Sequence, residues 1–119
     1  MRVLIADDEP LFADALEALL HSEARIEVVG RAGNGTQAVE LARELEPDVV
    51  LMDLSMPGVD GLGATRTIAD AGGRTRVLIL TGSDDPADIA KARRAGAAGY
   101  ITKDQIAETL VDAILAAAT

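Results

Sequence analysis

The tetrapeptide Val49-Val50-Leu51-Met52, which holds no polar residue, constrains this chain more than any other feature of it. A strand with one wet face alternates apolar and polar positions, whereas an unbroken apolar strand is buried on both faces and belongs in a parallel sheet covered by helices. The rest of the chain supplies its partners. Short apolar runs at 2–6, 26–30, 77–80 and 99–102 read as four further strands, and a longer stretch with helical spacing of apolar residues follows each of the five. Within 10–21, Phe12, Leu16, Leu19 and Leu20 share one helix face, and Pro10 suits the first turn. Asn34 is placed to cap a helix carrying Ala38, Leu41, Ala42 and Leu45 that stops before Pro47. A weaker helix over 62–71 ends at Gly72 and Gly73, a fourth covers 86–95, and the last carries Ile106, Leu110, Val111 and Ile114. Five such units with right-handed crossovers predict an α/β fold: a doubly wound, five-stranded parallel sheet with five helices on its two faces.

A chain of 119 residues makes one domain, large enough to fold on a hydrophobic core alone. It has no cysteine, which excludes a disulfide framework, a thiolate zinc site and a cysteine nucleophile. Its single histidine, His21, reads as an exposed and inert residue. Eleven basic against 20 acidic residues leave a net charge of −9, so contact with DNA is expected only through a separate basic module. No apolar run approaches the roughly 20 residues of a membrane span, and the N-terminus enters a strand where a signal peptide would stand. A cytoplasmic protein with no membrane partner is expected.

In an open parallel sheet the ligand site lies beyond the carboxyl ends of the strands. Asp7, Asp8 and Glu9 follow the first strand, Asp53 the third, Thr81 the fourth and Lys103 the fifth. Any one of these reads as a turn residue, since Asp and Thr are common at strand ends. Four strand ends that all carry groups suited to phosphate or magnesium chemistry read as a site. Crowded carboxylates raise one another's pKa unless a cation offsets them, so Mg²⁺ is the expected occupant among Asp7, Asp8 and Asp53, with Lys103 nearby. Asp53, at the end of the central strand, is the expected nucleophile toward phosphorus.

The segments Asp7-Asp8-Glu9, Asp53-Leu54-Ser55-Met56-Pro57-Gly58-Val59-Asp60-Gly61, Thr81-Gly82 and Tyr100-Ile101-Thr102-Lys103-Asp104 resemble bacterial response-regulator receiver domains, and the resemblance covers the whole chain. The loop after Asp53 and the Lys103-Asp104 pair are most similar to the NarL/FixJ type. The resemblance implies a flavodoxin-like strand order, 2-1-3-4-5. It implies that Asp53 accepts a phosphoryl group from a sensor histidine kinase, and that Asp7, Asp8, Asp53 and the backbone carbonyl of Ser55 hold Mg²⁺. Thr81 and Lys103 would bind phosphoryl oxygens, and Tyr100 would be the switch aromatic. The surface of the fourth helix, fifth strand and fifth helix would then change, controlling an output such as transcription and supporting a phosphorylation-dependent homodimer. Such proteins usually carry a C-terminal DNA-binding domain, which is absent from residues 1–119. Any enzymatic activity would be limited to self-catalysed phosphotransfer and autodephosphorylation. Many relatives place Pro after the lysine with a cis bond; Asp104 stands here, and a trans bond is expected because a non-proline cis bond costs about 3 kcal/mol.

Two other functions use the same residues. A Mg²⁺-dependent phosphatase forming an aspartyl phosphate normally has its nucleophile at the end of the first strand with an acid two residues on, which Asp7-Asp8-Glu9 fits poorly. A binding module that never meets phosphate has no need of so crowded an acidic cleft. Gly58 and Gly61 read as turn formers, and Lys91, Arg93 and Arg94 as a solvated face of the fourth helix. That helix has Ile89 as its one large aliphatic residue and is expected to pack softly. Ser55 and Ser83 are too small to exclude water from a phosphoryl group, which predicts an intermediate phosphoryl lifetime.

Overall fold

The computed structural model describes residues 1–54, 61–82 and 84–118. The chain alternates strand and helix throughout: β1 (Arg2–Ala6), α1 (Pro10–His21), β2 (Glu27–Ala32), α2 (Gly35–Leu45), β3 (Val49–Asp53), α3 (Gly61–Asp70), β4 (Arg76–Thr81), α4 (Pro86–Arg94), β5 (Gly99–Thr102) and α5 (Ile106–Ala117), with a 3₁₀ turn at Lys103–Gln105. All pairings are parallel and the order is β2-β1-β3-β4-β5, the doubly wound arrangement expected from the sequence.

Successive strand residues point to opposite faces, and this parity divides the core in two. Val3, Ile5, Val49, Leu51, Leu78, Leu80 and Ile101 meet Ala13, Leu16 and Leu20 of α1 and Ile106, Leu110 and Ile114 of α5. Leu4, Ala6, Val50, Met52, Val77 and Ile79 meet small residues of three helices: Ala38 and Ala42 of α2, Ala64 of α3 and Ala92 of α4. Because both neighbours of β3 are strands and both faces are covered, β3 is buried at all five positions. That is the physical reason for its unbroken apolar sequence.

Helix ends follow local chemistry. The Asn34 side chain accepts from the Gln37 N–H at 2.9 Å at the start of α2, as expected. Asp85 caps α4 in the same way, accepting from the Ala87 N–H at 2.8 Å. The strands differ from their apolar runs at the edges. β2 runs to Ala32, past Gly30, because Arg31 and Ala32 pair with Ile5 and Ala6. Gly30 fits there for want of a side chain, since a Cβ would lie 3.0 Å from Leu45 Cδ1. At their carboxyl ends β3 and β4 each extend one polar residue beyond the apolar run, with Asp53 opposite Leu80 and Thr81 opposite Thr102. Asp53 and Thr81 are therefore held by the ladder and not by a loop.

Candidate functional site

The carboxyl edge of the sheet collects the charged residues. Asp7 directly follows β1, its N–H donating to Ala32 O at 2.9 Å, and its Oδ1 accepts from the Glu9 N–H at 2.8 Å. The residue is buried, and its Oδ2 has no hydrogen-bond partner among the described residues. Burial raises its pKa from 3.8 to about 6; the Glu9 N–H bond opposes the shift and the neighbouring Asp53 adds to it. Asp8 is exposed, and carboxylate oxygens of Asp7, Asp8 and Asp53 lie within 4.8 Å of one another.

Asp53 closes β3 with only 2% of its surface exposed, and Lys103 Nζ donates to its Oδ2 at 3.0 Å. Lys103 begins the 3₁₀ turn after β5, with its ammonium 4.6 Å from the centre of the Phe12 ring. Strand parity separates the remaining groups. Asp53 continues the face of Val49 and Leu51, toward α1 and α5, whereas Thr81 continues the face of Val77 and Ile79. Tyr100, opposite Ile79 in the ladder, packs half-buried on that second face with Ala92 of α4.

The structure thus brings together Asp7, Asp8, Asp53 and Lys103, with Thr81 at the end of the adjacent strand. Ser55, Gly58 and Ser83 lie outside the described residues. Lys91, Arg93, Arg94 and His21 are exposed, and no peptide bond among the described residues is cis. Gly61 corrects its reading as a turn former. It is the buried first residue of α3, and a Cβ there would come within 2.9 Å of Leu54 Cδ2 and 3.1 Å of Asp53 O, so close packing against the end of β3 requires glycine. Phe12, whose spacing puts it on one helix face with Leu16, Leu19 and Leu20, packs half-buried against the α1/α5 cluster and also lies beside Lys103. Its place in the first turn of the helix that leaves the acidic loop is the sequence signal for that second contact. A cleft of about 560 Å³ between α2 and α3, lined by Arg43, Glu46, Arg74 and Thr75, contains none of these groups.

The donor set fits a hard divalent cation. It consists of carboxylate oxygens, and among the described residues a buried Asp7 oxygen is left without a donor while three carboxylates face a single ammonium.

A flavodoxin-like α/β domain with an acidic, lysine-bridged site at the carboxyl edge is the class that fold and geometry define. The chain belongs to the response regulator receiver domain family, whose model matches residues 3–115. It is 40% identical over 117 residues to the nitrate/nitrite response regulator protein NarP of Escherichia coli, covering 98% of this chain and 54% of that protein. It is 53% identical over 81 residues to protein-glutamate methylesterase/protein-glutamine glutaminase 3 of Myxococcus xanthus, covering 68% of this chain and 22% of that protein. Among solved structures, the signal receiver domain of the putative response regulator NarL from Mycobacterium tuberculosis superposes with a TM-score of 0.94 at 38% identity, covering 98% of this chain and 94% of that one. The chain spans about half the length of the curated transcriptional regulators it matches. None of its described helices is long and apolar enough to cross a membrane.

Proposed function

We propose that this receiver domain is switched by a phosphoryl group accepted on Asp53 from a sensor histidine kinase. The observation that carries the reading is the pairing of the buried Asp53 carboxylate with Lys103 at 3.0 Å, beside Asp7 and Asp8. In the transfer, a carboxylate oxygen of Asp53 bonds to phosphorus as the bond from phosphorus to the donor's imidazole nitrogen breaks. An acyl phosphate forms on Asp53 and the histidine is released. The end of β3 holds the nucleophile still, Lys103 shifts its ammonium from the carboxylate to a phosphoryl oxygen, and the Thr81 hydroxyl donates to another. Asp7 and Asp8 serve with Asp53 as cation ligands, and the resemblance alone adds the Ser55 carbonyl. Mg²⁺ bound there supplies positive charge against the phosphoryl oxygens. Attack of water on the acyl phosphate returns the carboxylate and inorganic phosphate.

Lys103 bonds Asp53 and not Asp7, which favours this reading over a phosphatase with its nucleophile at the first strand. Thr81 and Tyr100 share the face that α4 covers, so movement of Thr81 toward the phosphoryl group opens space for Tyr100 and alters the α4-β5-α5 surface. The output is read as transcription in the cytoplasm, through a C-terminal DNA-binding domain outside residues 1–119 and a phosphorylation-dependent homodimer. Mass spectrometry after incubation with acetyl phosphate and Mg²⁺ tests the assignment. One phosphoryl group on the wild type and none on Asp53→Ala is expected; full labelling of Asp53→Ala overturns it.

A further inference from the structure

We propose that Phe12 is a positioning residue for Lys103 and so governs how fast Asp53 takes up a phosphoryl group, an inference that rests on the reading of Asp53 as acceptor. Among the described residues the Lys103 ammonium meets the Asp53 Oδ2 at 3.0 Å and the Phe12 ring, whose centre is 4.6 Å away. The face of a benzene ring carries negative potential and attracts an ammonium at this distance. The two partners differ in what the reaction does to them. Asp53 gives up its free carboxylate when the acyl phosphate forms, and the negative charge moves outward onto phosphoryl oxygens. The ring keeps its charge distribution throughout and holds the ammonium while it changes partner.

Lys103 needs such a support. Its stem has four carbons and large rotamer freedom, its side chain is 32% exposed, and its 3₁₀ turn contains no buried residue. Phe12 stands on firmer ground, since α1 is anchored through Ala13, Leu16 and Leu20. It is the only phenylalanine in a chain whose one other aromatic residue is Tyr100, on the opposite face of the sheet. An aliphatic residue at position 12 would fill the same core volume without attracting the charge.

The test combines NMR with kinetics on the wild type, Phe12→Leu and Phe12→Tyr. In the wild type the Lys103 ε-protons are expected to be displaced upfield by the ring current; Phe12→Tyr keeps the displacement and Phe12→Leu loses it. The initial rate of Asp53 labelling by acetyl phosphate at saturating Mg²⁺ is expected to fall about 2- to 10-fold in Phe12→Leu and to stay within about twofold in Phe12→Tyr. Mg²⁺ affinity should be the same in all three, whereas general loosening of the acidic loop would lower it. Equal rates in Phe12→Leu and wild type overturn the proposal, as does Phe12→Tyr slowed as much as Phe12→Leu. Undisplaced ε-protons in the wild type overturn it with no variant, which covers the case of Phe12→Leu failing to fold. Failure of the Asp53 assignment has its own signature, label retained in Asp53→Ala.

Discussion

The two edges of the sheet treat charge in opposite ways. At the amino edge, Asp48 is satisfied: its Oδ2 accepts from the Arg2 N–H at 2.8 Å and its Oδ1 lies 3.6 Å from Arg74 Nε. The Arg2 guanidinium in turn donates to the carbonyls of Leu45 and Glu46 that end α2, and Thr75 Oγ1 donates to Pro47 O at 2.7 Å. At the carboxyl edge, among the described residues, three carboxylates face one ammonium and a buried Asp7 oxygen has no donor. The first arrangement stabilises the fold. The second leaves electrostatic strain that a cation and a phosphoryl group are suited to relieve.

Substitutions at the two edges should therefore act in opposite directions. The largest effect is expected on cation binding: Asp8→Ala lowers Mg²⁺ affinity about 10- to 100-fold in a calorimetric or NMR titration, while Asp48→Ala leaves it unchanged. Equal affinity in wild type and Asp8→Ala would remove the acidic cluster as the site. Next comes the metal-free stability of Asp7→Asn. Because the folded-state pKa of Asp7 is about 6 against 3.8 for the free group, the native state binds its proton more tightly, and stability from Asp7 is lost as pH rises from about 4 through about 6. Asp7→Asn keeps the acceptor for the Glu9 N–H and should stabilise the domain at pH 7 by about 2 kcal/mol, with the gain vanishing toward pH 4 in denaturant titrations. A gain independent of pH would break the electrostatic explanation. At the amino edge, Asp48→Ala should destabilise at pH 7 by about 1 kcal/mol through loss of the bonds from Arg2 and Arg74. The smallest effect expected is positional. With beryllofluoride as phosphoryl mimic, amide shifts should change around Asp7 and Asp53, along α4 and at Tyr100, and stay near zero at Arg2, Asp48 and Thr75. Silence at α4 and Tyr100 would mean that the domain binds phosphate without passing the signal by that route.

Much of this was legible in the chain. The five alternations, the Asn34 cap and the bounds of β1, α1 and β5 agree with the structure, because each depends on periodicity or on a local side-chain bond. Strand ends were less legible: the apolar runs stop at Met52 and Leu80, one residue before Asp53 and Thr81, and ladder pairing with Leu80 and Thr102 includes both polar residues in the strands. The gathering of Asp7, Asp8, Asp53 and Lys103 was expected from their common place after strands, and the distances bear it out. Gly61 was misread because its constraint is a backbone from another element, Asp53 O, which no local pattern encodes.

What the sequence determined alone is the set of elements, their parallel assembly and the edge that holds the acids, since hydrophobic period and position after a strand are properties of the chain itself. The tertiary structure decided which of those acids lacks a donor among the described residues, which one Lys103 meets, and that an aromatic ring stands beside that ammonium. These are relations between side chains on different elements, separated by up to about a hundred positions in the chain, and they exist only once the crossovers and the two-faced core set those elements side by side.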